Sequence, residues 1–450
     1  MNLNDLPQPL AAGLLNDLSA VPTQTKPTLR IMTAGSVDDG KSTLIGRLMH
    51  DLDLITDDVL ADLKSASQRN GRGELDLSLY TDGLVAEREQ GITIDVAYRY
   101  FRHQERSFIL CDAPGHVQYT RNMVCAASQS DVALIMIDAR SGPTEQTRRH
   151  VRVAQMLHVA KLIFVVNKLD LVGFKQSAFT AISTQLKQLA DAVIVPVCAL
   201  DGDNVVHPSS AIGADRLSWY EGPTLLDLLL QTESNARFPI DSAMRFTVQR
   251  ILRPTGKSAG DLHDYRALAG RVESGTIHQG QRIQILSSAG DEVFTSVVQS
   301  IHTFDGDILE AAAGSSVSLV LADDIDVARG DLIADAQDHS INATKRLTAK
   351  WCWMHDKPAT VGQKLLIKQG TRTVQARIEA IESKLDLTTG ELVVVAAAGA
   401  TSLGVNEIGT LRLALSHPLL NDSYQALPRT GSLIAIEPQT LDTLGAGVIA

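Results

Sequence analysis

Gly35-Ser-Val-Asp-Asp-Gly40-Lys41-Ser42 has the form G-x-x-x-x-G-K-[ST], and its reading decides the rest. Before it runs Leu29 to Gly35, apolar and strand-like; after it, Ser42 to His50 sets apolar residues at helical spacing. Strand, glycine loop and helix in that order make a phosphate cradle. The glycines let the backbone wrap with its N–H groups inward, and the helix adds the positive end of its dipole. The cradle is assigned to Gly35, Ser36, Val37, Asp38, Asp39, Gly40, Lys41, Ser42 and Thr43. Lys41 is expected to reach the outer phosphates, and the Ser42 hydroxyl to ligate Mg²⁺.

At 450 residues the chain is too long for one compact core, so several domains are expected. A composition of 44% hydrophobic and 21% charged residues is that of an ordinary globular protein. The formal net charge of −11 gives no support to a nucleic-acid-coating role. Cys111, Cys125, Cys198 and Cys352 form no C-x-x-C pair, which argues against a disulfide framework or a zinc site. The first residues lack a basic segment followed by an apolar core, and no stretch approaches a membrane span. A cytoplasmic protein without membrane or nucleic-acid partners is expected.

Residues 1–27 read as a polar N-terminal arm. Over 28–238, apolar runs alternate with helical periods. Strands are expected at Val96–Phe101, Ser107–Cys111, Val132–Asp138, Lys161–Val166 and Ala192–Val197. Helices are expected at Val117–Ala127, Thr147–Leu157, Ser177–Ala190 and Thr224–Thr232. This alternation predicts a doubly wound, mostly parallel α/β sheet, whose ligands sit at the carboxyl ends of its strands.

Chemistry-bearing loops fall at those ends. In Arg88-Glu-Gln-Gly-Ile-Thr-Ile-Asp95, the Thr93 hydroxyl is expected to join the Mg²⁺ shell when a γ-phosphate is present. In Asp112-Ala-Pro-Gly-His116, Asp112 is expected to hold Mg²⁺ and the Gly115 N–H to sense the γ-phosphate, with His116 orienting the attacking water. In Asn167-Lys-Leu-Asp170, a carboxylate at Asp170 can accept from guanine N1 and the exocyclic amine, a donor pair adenine lacks. Asn167 supports that loop, and the Lys168 stem covers the base. Together these loops predict a GTPase domain, with Lys41, Thr93 and His116 as its catalytic residues and GTP with Mg²⁺ as its ligands.

The wording of the motifs resembles the translational GTPase superfamily, which includes elongation factor Tu; Glu87 to Asp95 and Asp112 to His116 carry that likeness. Further stretches resemble one branch more closely, the large subunits of bacterial sulfate adenylyltransferase. They include Gly35 to Leu48, Thr81 to Phe101, Gly115 to Met123, Ile137 to His150, Ala199 to Asn204, Trp219 to Leu226, Thr303-Phe-Asp-Gly-Asp307 and Leu321 to Asp331. In the loop that meets guanine O6, that family usually has Ser-Ala-Leu; here it reads Cys198-Ala199-Leu200, and the base contact expected of it is a backbone N–H. The Ser36-Val-Asp38-Asp39 wording also matches this branch, and Asp38, near the bridging phosphate oxygens, is a candidate to hold a monovalent cation.

From 239 onward short alternating segments separated by Gly, Asp and Asn turns predict two small antiparallel β-barrels, at 239–340 and 341–450. Trp351-Cys-Trp353 alternates like a strand, which predicts a core or barrel-interface role. Arg253-Pro-Thr-Gly-Lys-Ser258 contains Gly-Lys-Ser but lacks the earlier glycine and a following helix, so it reads as a barrel loop. The resemblance implies a GTPase subunit working with a small catalytic subunit that makes adenylyl sulfate from ATP and sulfate. The alternative is an elongation-factor-like GTPase that delivers aminoacyl-tRNA.

Overall fold

A computed structural model describes residues 26–69, 75–80, 95–211, 216–234, 241–254, 265–287, 292–394 and 402–450. Its first unit is a six-stranded sheet with strands β1 (Lys26–Ala34), β2 (Ala97–His103), β3 (Arg106–Asp112), β4 (Val132–Asp138), β5 (Lys161–Asn167) and β6 (Val193–Pro196). They lie in the order β2-β3-β1-β4-β5-β6. Only β2 runs antiparallel, paired to β3 as an edge hairpin; the other neighbours are parallel. Helices α1 (Lys41–Asp51), α2 (Asp57–Arg69), α3 (Thr120–Ala127), α4 (Glu145–Met156), α5 (Gln176–Lys187) and α6 (Leu225–Gln231) complete this unit among the described residues.

Both faces of the central parallel strands are covered, which is why β4 and β5 read as continuous apolar runs, whereas the edge strand β2 alternates. Every residue of β4 is buried. One core holds Leu44, Ile45 and Leu48 of α1 against Ile31, Leu134 and Val165 of the sheet. The other packs Met123, Val151 and Leu186 from α3, α4 and α5 against Met32, Ile135 and Phe164. Alternate strand residues therefore feed opposite cores, and β1, β3 and β5 all end on one side.

Two antiparallel β-barrels follow. In the first, strands at Arg282–Leu286, Leu332–Asp335, Arg245–Leu252, Ala267–Ser274, Ser316–Leu321 and Val293–Thr303 pair in that order, and the last pairs back to the first. In the second, the ring runs Lys364–Gln369, Ser432–Ile436, Thr443–Ile449, Ala343–Trp353, Ile408–Leu420 and Arg372–Leu385, closed the same way. Closure removes exposed sheet edges and encloses one apolar core per barrel, around Phe246, Ile285 and Leu319 in the first and Trp351, Trp353 and Leu411 in the second.

The Trp351-Cys-Trp353 alternation separates two surfaces. Both indoles fill the second barrel, while Cys352 points the other way into the core of the α/β unit, joined there by Ile408, Tyr424 and Val448. Arg121 of α3 donates to the Thr443 carbonyl at 3.0 Å across the same seam. The α/β unit and the second barrel thus share one continuous apolar core. The Gly-Lys-Ser of 256–258 and the N-terminal arm up to residue 25 lie outside the described residues.

Candidate nucleotide site

The glycine loop leaves β1 at Ala34 and enters α1 at Lys41, with Gly40 as N-cap at φ 91°, a left-handed backbone that glycine adopts without a side-chain clash. A Cβ on Gly40 would also meet Asn167 Nδ2 at 2.4 Å. Within the loop, the Ser36 N–H donates to Asp39 Oδ2 at 2.5 Å, and Lys41 Nζ donates to the carbonyls of Gly35 (3.2 Å) and Ser36 (2.8 Å). Ser36 Oγ shares a hydrogen bond of 2.9 Å with Thr144 Oγ1. Thr144 is the N-cap of α4 and forms a capping box with Thr147, so the loop is anchored to a helix start.

Burial pushes the Lys41 ammonium below its ordinary range, against the opposing pull of Asp112 and Asp39. Burial raises the Asp39 carboxyl, against the opposing pull of Lys41. A desolvated cation that donates to the Gly35 and Ser36 carbonyls beside Asp39 and Asp112 can exchange those neutral acceptors for the oxygens of a polyanion.

At the end of β3, Thr33 Oγ1 donates to Asp112 Oδ1 at 2.7 Å, and Asp112 is buried. Gly115 lies against the loop: a Cβ there would fall 2.5 Å from Lys41 Nζ and 2.6 Å from the Gly35 carbonyl, so only glycine allows this approach. His116 is half-buried, accepts at Nδ1 from the Gln118 N–H at 3.3 Å and stands 6.0 Å from the Tyr119 ring. Thr93 lies outside the described residues.

The base loop is joined to the phosphate loop through one side chain. Asn167 Nδ2 donates to the Asp39 carbonyl at 2.9 Å, and Asn167 Oδ1 accepts from the Ala199 N–H at 3.0 Å. A base carbonyl seated at this loop would then share the Ala199 N–H or take the adjacent one of Leu200. Cys198 Sγ donates to Asp170 Oδ1 at 3.3 Å. Burial holds that thiol up at about 12, so it remains an S–H donor at any working pH. The cysteine side chain thus holds the Asp170 carboxylate through one S–H donor. Val37 and Leu200 are exposed, and Ser42 and Thr43 are half-buried at the start of α1.

Residues 26–252 match the family "Elongation factor Tu GTP binding domain", residues 267–334 match "Elongation factor Tu domain 2", and residues 346–450 match "GTP-eEF1A C-terminal domain-like". Sulfate adenylyltransferase subunit 1 of Yersinia pseudotuberculosis is 44% identical over 436 residues, 95% of this chain and 86% of the relative. The protein of the same name from Citrobacter koseri is 44% identical over 441 residues, covering 95% and 87%. The chain belongs to the sulfate adenylyltransferase subunit 1 family. Its fold is shared more widely: the GTPase-like domain of S. cerevisiae Ski7, solved bound to GTP, aligns at 18% identity with a TM-score of 0.50, over 97% of this chain and 99% of that one.

Within this family member, several side chains that shape the site carry no motif of their own. Thr33 fixes Asp112, and only its position in β1 beside β3 reveals this (Thr33 pairs with Asp112 in register). Asp138 ends β4, takes a bidentate contact from Arg140 and lies 3.2 Å from Lys168 Nζ. Burial raises that carboxyl, but the Arg140 and Lys168 contacts together outweigh it and bring it to about 2. Lys168 also donates to the Asp38 carbonyl, so this lysine ties the base loop to the phosphate loop as Asn167 does. Arg47 of α1 donates to the Ala199 carbonyl at 3.2 Å and to that of Leu200.

The donor chemistry fits Mg²⁺: the Ser42 hydroxyl opens α1 and the Asp112 carboxylate, its rotamer fixed by Thr33, closes β3, and both offer the hard oxygens this ion takes. No helix among the described residues is long and apolar enough to cross a membrane.

Proposed function

We propose that this chain is the GTP-hydrolysing subunit of a sulfate adenylyltransferase and couples that hydrolysis to adenylyl sulfate synthesis on a small catalytic partner. The observation that carries the reading is the likeness to named subunit 1 proteins along 95% of the chain, joined to a single motif-complete nucleotide site.

In this reading Asp170, held by Cys198, accepts from guanine N1 and the exocyclic amine. The loop N–H groups from Ser36 to Thr43 take the phosphates, and Lys41 turns from the Gly35 and Ser36 carbonyls to the outer phosphates. Bound Mg²⁺ would neutralise charge developing between the β- and γ-phosphates, held by Ser42, Asp112 and Thr93. The Gly115 N–H reports the γ-phosphate, and His116 orients the attacking water. Asp38, exposed and in left-handed backbone at φ 67°, is the residue we assign to a monovalent cation; an equal GTPase rate in potassium and choline salts would overturn that assignment.

Making the phosphate–sulfate anhydride is uphill, and nothing in this sequence resembles a site for ATP plus sulfate, so adenylyl transfer is placed on the partner. Coupling then needs a partner that binds the GTP and GDP forms unequally, since only differential binding free energy can be transmitted. The segments around Thr93 and Asp112 to His116 are the elements assigned to that change.

The test combines purified chain, partner, ATP, sulfate and GTP and follows adenylyl sulfate. The chain alone is expected to make none. With the partner, GTP should raise the yield, and His116→Ala should remove that gain while leaving GTP binding in place. Synthesis by the chain alone sinks the division of labour, and a full yield with His116→Ala sinks the role of hydrolysis. Aminoacyl-tRNA binding with a steep salt dependence would instead favour the elongation-factor reading.

A further inference from the structure

The first barrel carries a short hairpin, Thr303 to Ile308, whose tip presents Phe304 with 104% relative exposure. Hairpin tips are normally built from glycine, asparagine and aspartate, because the turn needs their backbone freedom. Asp305-Gly306 already meets that need, with Gly306 at φ 128° and open space around it. The aromatic ring is therefore not required by the turn. Leu309, at the foot of the same hairpin, is 75% exposed.

The tip is held in place. Thr303 Oγ1 donates to the Gly306 carbonyl at 2.8 Å and accepts from the Asp305 N–H at 3.2 Å. Below it, His302 Nδ1 lies 2.7 Å from Asp307 Oδ1, Nε2 shares a 2.6 Å hydrogen bond with Ser300 Oγ, and Tyr265 packs edge-on against the ring at 5.8 Å. A lone exposed apolar residue is ordinary on any surface. An aromatic carried on a braced backbone turn, with a second exposed apolar side chain at the foot of the same hairpin, has the form of an anchor whose backbone is already ordered, so only the ring's own rotamer freedom is lost on docking.

The rim is acidic. Asp305, Asp307 and Glu310 are exposed on the hairpin and its continuation, and Asp324 and Asp326 are exposed around Arg266, next to Tyr265. This charge repels nucleic-acid phosphates and anionic lipid headgroups, and it repels a second copy of the same patch.

We infer that the Phe304 hairpin is the docking anchor for the catalytic partner subunit, which meets it with an apolar socket ringed by lysine and arginine. The inference rests on the two-subunit reading proposed above. An anchor of this kind carries much of the binding while the rim charges set encounter rate and salt dependence.

The experiment titrates full-length chain into purified partner subunit by calorimetry and follows association by stopped flow, with sedimentation of the chain alone as control. Phe304→Ala should weaken assembly by about 30-fold or more, the loss expected of a hot-spot aromatic. Phe304→Trp, which keeps a large ring, should stay within about 3-fold of wild type. Asp305→Asn with Asp326→Asn should slow association and flatten its salt dependence. Unchanged GTP affinity in each variant shows that the fold is intact. Wild-type assembly with an unaltered Phe304→Ala affinity overturns the anchor and leaves the two-subunit reading standing. A wild-type chain that fails to bind the partner overturns both. Self-association of the chain that Phe304→Ala abolishes assigns the patch to a second copy and overturns the inference.

Discussion

Asn167 donates to the Asp39 carbonyl at 2.9 Å while its other amide atom accepts from the Ala199 N–H, so a single buried side chain fixes the distance between the phosphate loop and the base loop. Neither loop is held by regular secondary structure at that point, and both must be placed together for one nucleotide to span them. Removing either bond leaves a buried polar backbone group unpaired, at about 1–3 kcal/mol each. Asn167→Ala should therefore weaken GTP binding by roughly 10- to 100-fold, mostly as faster release. Asn167→Asp keeps the acceptor for Ala199 but sets a carboxylate against the Asp39 carbonyl, and should be no better. Stopped-flow binding of a fluorescent GTP analogue reads both; an affinity within about 2-fold of wild type in Asn167→Ala would show that the loops are set independently.

Cys198 and Asp170 make a second pairing with a defined consequence. The thiol is a weak donor, and at 3.3 Å it orients the carboxylate rather than neutralising it. Cys198→Ser, with a stronger donor of similar size, should match or improve on wild-type GTP affinity. Cys198→Ala should lose a few-fold, about 0.5–1.5 kcal/mol for one hydrogen bond. Asp170→Asn turns an acceptor into a donor, so it should lose GTP by about two orders of magnitude and gain xanthosine triphosphate, whose ring offers a carbonyl where guanine has an amine. Competition binding of the two nucleotides checks this pair, and unchanged preference in Asp170→Asn would remove Asp170 from the base site.

The nucleotide loops are legible in sequence because each needs fixed residue types at fixed spacing: Gly40 for a left-handed turn, Asp112 at a strand end, Asn167 and Asp170 across a short turn. Contacts made by register are not. Thr33 reaches Asp112 only because β1 lies beside β3, and Asp138 reaches Lys168 only because β4 lies beside β5. Helix α2 is hard to read because it is mostly polar and buries little, only Leu63 and Ser67 among its described side chains, and no motif marks it. Strand Thr443–Ile449 is hidden because Gly445 and Gly447 lower strand propensity, while the structure uses them for packing against Trp353 and Trp351.

Beneath the phosphate loop, His150 of α4 is buried, shares a 2.9 Å hydrogen bond with the Gln146 amide through Nε2, and has no hydrogen-bond partner for Nδ1 among the described residues. Burial, with Lys41 and Arg149 adding repulsion, brings its pKa down to about 3 from an ordinary 6.5. The folded state keeps this imidazole neutral, whereas the unfolded chain takes up a proton below pH 6.5. Its contribution to stability is thus complete above that pH and is lost as pH falls from 6.5 toward 3. Between about pH 8 and pH 5.5 the loss is about 1.4 kcal/mol. His150→Leu should remove that part of the slope from urea-unfolding free energies. An unchanged slope would mean that the histidine is protonated in the folded protein.

Gly447 sits directly across from Trp351 in the second barrel, and a Cβ at 447 would fall 2.7 Å from the indole ring carbons. That ring is fully buried in the apolar core of the second barrel, together with Leu411, Leu413 and Ile449. Gly447→Ala must then displace either the indole or the strand carrying it, and forced overpacking of this kind costs about 1–3 kcal/mol. The same strand bears Cys352 on its opposite face, inside the core shared with the α/β unit. A shift that relieves Trp351 therefore moves Cys352 within the core it shares with the nucleotide-binding unit, and the strain is expected to cross the seam. Gly447→Ala should lower the urea midpoint seen by tryptophan fluorescence, and it should also shift GTP affinity, although residue 447 lies on a strand of the second barrel. A lower midpoint with wild-type GTP affinity would show that the barrel absorbs the strain and that the shared core does not transmit it.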